Sequence, residues 1–218
     1  MRHGATLVII AKSPLPGRVK TRLCPPCTHE EAAVLAEAAL ADTLDTLAAV
    51  PAHRHIIALD GAPGVWLPPG FVVVPQVGAG LAERLANVFA RLRGPAFLVG
   101  MDTPQLDAGL VSTAVAMLAD GDTDAVLGPA LDGGWWGIGL RRPDARVFDG
   151  VEMSTDRTHA QQQAQLAALG LRTRPLAPLR DVDDFQDAMA VAALAPMTRF
   201  ARTVARLEPR LHARAFAK

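Results

Sequence analysis

TLVIIAKSPLPGRVKTRL, Thr6–Leu23, is the stretch from which the rest of the chain can be read. Its short apolar run, Thr6–Ile10, reads as a buried strand. Pro14, Pro16 and Gly17 then break the run into a loop. That loop presents Lys12, Arg18, Lys20 and Arg22, and no acidic residue occurs between Lys12 and Thr28. In an open α/β sheet, ligands bind in the loops that leave the carboxyl ends of the strands. Cations gathered there suit a polyanion, most simply the phosphate chain of a nucleotide.

Further along, apolar strand-like runs alternate with helical patterns. Thr28-His-Glu-Glu31 has the form of a capping box and opens a long Ala/Leu-rich helix to Val50. His55–Asp60 and Phe71–Pro75 read as buried strands, with a Pro/Gly-rich loop between them. Gly78-Ala-Gly80 opens a helix over Leu81–Arg93, whose apolar residues follow helical spacing. Ala96–Gly100 is a strand running directly into Met101-Asp102-Thr103-Pro104. A helix over Asp107–Ala119 and a strand over Asp124–Gly128 follow, then LDGGWW at Leu131–Trp136 and a strand-like Gly137–Leu140. Ser154 or Thr155 is placed to cap a helix ending at Gly170. Arg172–Leu176 reads as a further strand. Asp181, Asp183 and Asp184 precede a helix over Phe185–Ala195, and a last helix runs from about Met197 to Leu207. The alternation predicts a three-layer α/β/α sandwich around a mostly parallel sheet.

The chain's overall numbers narrow the function. Its 218 residues are half hydrophobic, enough for one domain of ordinary size spanning 1–218. Lys plus Arg and Asp plus Glu both number 22, a balance that argues against bulk nucleic-acid binding. No run approaches the ~20 apolar residues of a membrane helix. No secretory pattern opens the chain, so a cytoplasmic location is expected, with Cys24 and Cys27 reduced. Cys24-Pro-Pro-Cys27 lacks a thioredoxin-like context, and no second ligand pair completes a zinc site, so two incidental thiols are expected.

Acidic residues at strand ends carry the second half of the chemistry. Asp102 follows a buried strand, and Pro104 stiffens the turn behind it. A carboxylate there is well placed to hold Mg²⁺ or Mn²⁺. Asp132 precedes Gly133 and Gly134, which allow close backbone approach to a ligand. Trp135 and Trp136 can stack on a base or sugar, although paired aromatics are more often core. Helix capping accounts for one of Asp181, Asp183 and Asp184 but not for all three. A basic loop facing separated carboxylates suits metal-assisted transfer from a nucleotide donor. No Walker A, GxGxxG, GxSxG or HExxH motif is present.

AKSPLPGRVKTRL, GMDTPQL, LGPALDGGWWGIGL, the MSTD at Met153–Asp156 and the DVDD at Asp181 occur in that order. Together they resemble the DUF2064 family of the nucleotide-diphospho-sugar transferase (GT-A) superfamily, from Thr6 to about Met189. The resemblance implies a GT-A, Rossmann-like fold and a metal-dependent transferase. It implies phosphate contacts from Lys12, Arg18, Lys20, Thr21 and Arg22. Asp102, Lys20 and Asp132 would serve catalysis, with Asp102, Asp132 and Asp183 as metal ligands. Gly133, Gly134, Trp135, Trp136, Ser154 and Thr155 would face the acceptor. The family's general pattern has Tyr at Trp135, Thr at Asp184 and an apolar residue at Cys27.

Nucleotidyl transfer from a nucleoside triphosphate to a small phosphorylated or carboxylated acceptor is the leading expectation. Glycosyl transfer from an NDP-sugar, as in arsenosugar biosynthesis, is the alternative. A non-catalytic nucleotide-binding module is the third. The expected partners are small molecules, with neither nucleic acid nor membrane, and a homodimer is left open.

Overall fold

The computed structural model describes residues 4–215. Seven strands form one sheet: β1 (Thr6–Lys12), β2 (Arg54–Asp60), β3 (Phe71–Pro75), β4 (Ala96–Val99), β5 (Ala125–Pro129), β6 (Trp135–Leu140) and β7 (Thr173–Pro175). Their spatial order is β3-β2-β1-β4-β6-β5-β7. β6 runs antiparallel to both neighbours, β4 and β5, while every other pairing is parallel. The fold is therefore a mostly parallel α/β sandwich.

The described residues form six α-helices: α1 (His29–Ala48), α2 (Leu81–Ala90), α3 (Ala108–Ala119), α4 (Thr158–Ala168), α5 (Phe185–Leu194) and α6 (Arg199–Ala215). Successive residues of β1 point to opposite faces, as strand geometry requires. Leu7 and Ile9 pack with Leu40 and Leu44 of α1 and Val111 of α3. Val8 packs on the other face with Leu85 and Phe89 of α2 and Leu166 of α4. Burying one such side chain contributes roughly 1.5–3 kcal/mol, so both faces resist change in β1. A third cluster sets Leu35 and Ala39 of α1 against Val191 of α5 and Phe200 and Val204 of α6. α5 and α6 thus stack outside α1. Among the described residues, no helix is long and apolar enough to cross a membrane.

Local signals explain several helix starts. Thr28 and Glu31 form both hydrogen bonds of the capping box. Asp107 caps α3 through Leu110 N. Asp184 caps α5 in a second box, with Asp187 as its reciprocal partner. Asp184 is therefore a structural residue, which explains an acid where the family pattern has Thr.

Other expectations need correction. β3 is an edge strand rather than a buried one, with Val72 46% and Val73 40% exposed. Neither Ser154 nor Thr155 caps α4, which begins three residues later, at Thr158. Arg157 takes the cap position without a side-chain bond. Ser154 instead adopts a left-handed backbone, φ 63°. Gly170 ends α4 region as expected, at φ 71°. α2 stops at Ala90, and α6 begins and ends later than expected.

Candidate active site

A cleft of about 790 Å³ opens at the carboxyl ends of β1 and β4. Lys12, Arg18, Lys20, Thr21, Arg22, Asp102, Asp132, Gly134, Trp135, Ser154, Thr155 and Asp183 all line it. The basic loop and the separated acidic points therefore meet in one place.

The loop is shaped by its own residues. Ser13 Oγ donates to Ala62 O, and the Leu15 and Arg18 amides close tight turns. Val19 and Leu23 are buried and anchor the loop to the core. Lys20, between them, adopts a left-handed conformation at φ 49°. That conformation costs a non-glycine residue roughly 1–3 kcal/mol and persists only where surrounding contacts enforce it. Here the contacts are ionic. Lys20 Nζ lies 2.7 Å from Asp102 Oδ1 and 3.6 Å from Asp183 Oδ1, and it also donates to Val182 O. Its side chain is only 10% exposed. Arg22 Nη1 lies 3.1 Å from Asp183 Oδ2. Lys12 and Arg18 have no acidic partner among the described residues, so they are the loop cations open to a ligand.

The carboxylates come from three chain segments. Asp102 leaves the end of β4, and its carbonyl accepts from Val182 N, which ties the 181–184 stretch to β4. Asp132 sits on the turn between β5 and β6 and accepts from Gly134 N. Gly133 in that turn has φ 90°, and a Cβ there would fall 2.1 Å from Asp156 O. Gly133 therefore lets the turn press against the Met153–Asp156 segment. Its neighbours Asp132 and Gly134 line the cleft.

The two tryptophans divide as neighbours on a strand must. Trp136 is 1% exposed, donates from Nε1 to Ala177 O and meets Phe97 edge-on at 5.9 Å. It borders the cleft, but its indole belongs to the core. Trp135 is half-buried and forms cleft wall. Neither cysteine forms a disulfide; Cys24 is half-buried and Cys27 buried.

Asp181 lines the cleft too, a site residue that the sequence marks only as one acid of the DVDD run. Burial pushes its carboxyl up to about 7, helped by Asp102 and Asp132 and opposed by Lys20. Its Oδ1 is buried without a hydrogen-bond partner. The signal was its run with Asp183, since capping needs only Asp184. Gln76, Gly80 and Arg84 also line the cleft. Gln76 donates to Ala11 O and Ala58 O, and Arg84 joins it to Asp60. The Gly78-Ala-Gly80 turn after β3 was their only sequence signal.

Asp102, Asp132, Asp181 and Asp183 offer only hard oxygen donors, with one buried oxygen unpartnered. That chemistry fits a divalent cation such as Mg²⁺ or Mn²⁺. As the side chains stand, no three acidic, imidazole or thiolate groups among the described residues form a ready cage. Lys20 Nζ is inserted between Asp102 and Asp183.

Residues 34–155 match the family model described as an uncharacterized protein conserved in bacteria, DUF2064. The chain belongs to the DUF2064 family. No curated protein matches it. The fold resembles that of a proposed nucleotide-diphospho-sugar transferase from Desulfovibrio desulfuricans G20. That pair has a TM-score of 0.86 at 24% identity, over 97% of this chain and 98% of the other. A CMP:2-keto-3-deoxy-manno-octonic acid synthetase complexed with CTP gives 0.56 at 13% identity, over 88% of this chain and 98% of the other. A cytidylyltransferase from Leptospira borgpetersenii serovar Hardjo-bovis gives 0.56 at 10% identity, over 96% of each chain. The DUF2064 chain thus shares the fold of the Desulfovibrio desulfuricans protein over almost its whole length.

Proposed function

We propose that this DUF2064 protein is a nucleotide-using transferase, acting through residues 1–218 as one domain, and that it moves a nucleotidyl group from a nucleoside triphosphate to a small acceptor. The observation that carries this reading is that one cleft gathers both kinds of charge. Lys12 and Arg18, which have no acidic partner among the described residues, line it together with Asp102, Asp132, Asp181 and Asp183.

In this reading Lys12 and Arg18 bind the phosphate chain, and Thr21 and Arg22 border it. Asp102, Asp132 and Asp183 would hold Mg²⁺ or Mn²⁺, which when bound would supply charge neutralisation on the phosphates. Lys20 positions Asp102 and Asp183 through its ion pairs. An acceptor oxygen attacks the α-phosphorus, and pyrophosphate leaves as its bond to that phosphorus breaks. The loop cations offset the charge that grows on the leaving pyrophosphate. Trp135, Ser154 and Thr155 form the acceptor side, where the half-buried indole offers a face for stacking.

Glycosyl transfer from an NDP-sugar is the second reading, and one observation favours it. With Lys20 and Arg22 held by carboxylates, two loop cations remain free, which suits a diphosphate. Incubation with each nucleoside triphosphate and NDP-sugar, with Mg²⁺ or Mn²⁺ and a panel of small acceptors, separates the readings. Acceptor-dependent pyrophosphate release supports the first, and release of a nucleoside diphosphate from an NDP-sugar supports the second. Binding without turnover across the whole panel returns the protein to a nucleotide-binding module.

A further inference from the structure

A second concavity, of about 300 Å³, lies beside the edge strand β3. Ile56, Val72 and Val74 form its sheet side, and Val88 and Leu92 of α2 and the turn after it form the opposite wall. Val72 of β3 and Val77, in the turn after it, are 46% and 45% exposed. Its volume is at the lower end of the range for small-molecule sites. α2 separates it from the cleft: Leu81, Arg84 and Leu85 line the cleft, whereas Val88, Arg91 and Leu92 line this groove.

The charges around the groove have one sign. No acidic side chain lines it, and its ionisable residues are His53, Arg54, Arg91 and Arg93. Arg93 donates to Ala90 O and Leu92 O. Arg54 and Arg91 have no acidic partner among the described residues, in a chain that carries no net charge. An apolar wall alone is ambiguous, but valines and leucine flanked by uncompensated guanidinium groups select for a ligand with an apolar body and an anionic head.

We propose that this groove binds a small carboxylate with an apolar tail. The tail lies along Val72, Val74 and Val88, and the carboxylate accepts from Arg54 or Arg91 at the rim.

The test is titration calorimetry with octanoate, with octyltrimethylammonium as the charge control. The expected result is saturable one-site binding of octanoate that weakens with added salt, and much weaker binding of the cation. Replacing both exposed arginines, Arg54→Gln with Arg91→Gln, should weaken octanoate binding on the order of tenfold while leaving the melting temperature unchanged. Replacing Lys12 and Arg18 by Ala should leave octanoate binding intact, since those cations belong to the other cavity. Absence of saturable binding overturns the proposal. So does equal affinity for both probes, or loss of octanoate binding in the Lys12 and Arg18 variant. A concentration-dependent dimer that excludes octanoate assigns the face to a second copy instead.

Discussion

Lys20 Nζ lies 2.7 Å from Asp102 Oδ1, so the basic loop and the acidic cluster form one charge network rather than two facing surfaces. Lys20→Met keeps the aliphatic stem and removes the charge. It should cost about 1–3 kcal/mol, because carboxylates and the Val182 carbonyl lose a charged donor in a largely buried position. Thermal melts of the variant check this, and an unchanged melting temperature would mean that the ion pair contributes nothing to the fold.

Asp102→Asn keeps the shape of the side chain while removing the charge that a hard cation requires. The variant should fold, should lose the stabilisation that Mg²⁺ or Mn²⁺ gives the wild type, and should lose turnover. Melting curves with and without the cation measure the first two effects independently of any assay of activity. A variant still stabilised by cation to the wild-type extent would remove Asp102 from the metal site.

The adjacent tryptophans should behave differently. Trp136→Ala should cost ~3–5 kcal/mol, because the indole fills the core between Phe97 and Gly128. Gly128→Ala should also destabilise, since a Cβ there would meet the Trp136 ring at 2.3 Å. Trp135→Ala should cost less stability and mainly raise the KM for the acceptor. Equal stability losses for the two tryptophan variants, measured by denaturant unfolding, would contradict the division seen in β6.

Much of this was legible from local sequence. Thr28 and Glu31 act within a few residues of themselves, and such local chemistry can be read from a sequence; β1, by contrast, runs two residues past the expected end at Ile10, to Lys12. The edge position of β3 is not legible, because FVVVP has the same apolar pattern whether a strand lies in the middle of a sheet or at its edge. The antiparallel course of β6 follows from the short connection through Asp132–Gly134, whose outcome depends on where β4 has already left a gap. Lys20 and Asp102 were both recognised as site residues, but an ion pair 82 positions apart in sequence has no local signature. Asp181 was seen as an acid, but its burial beside Asp102 and Asp132 is a property of the folded cleft.

Acid should weaken the protein partly through Asp124. Hydrogen bonds from Arg172, then Arg141, hold its carboxyl well below the usual carboxylate range, and they tie the start of β5 to β7 and β6. A depressed folded value means that the stability it contributes is fully present above the unfolded value of about 3.9 and is lost as pH falls below it. Asp124→Asn should therefore melt lower than wild type at pH 7, and the gap should close towards pH 2. Melting curves that stay parallel from pH 7 to pH 2 would assign the acid sensitivity to other groups.

The cleft is expected to hold a nucleotide by its phosphates, and titration calorimetry of mono-, di- and triphosphates with Mg²⁺ tests this most directly. Lys12→Ala and Arg18→Ala remove the two loop cations that no carboxylate occupies. Each should weaken triphosphate binding on the order of tenfold, weaken monophosphate binding less, and leave the melting temperature almost unchanged. Equal affinity of wild type and both variants for the triphosphate would contradict the account.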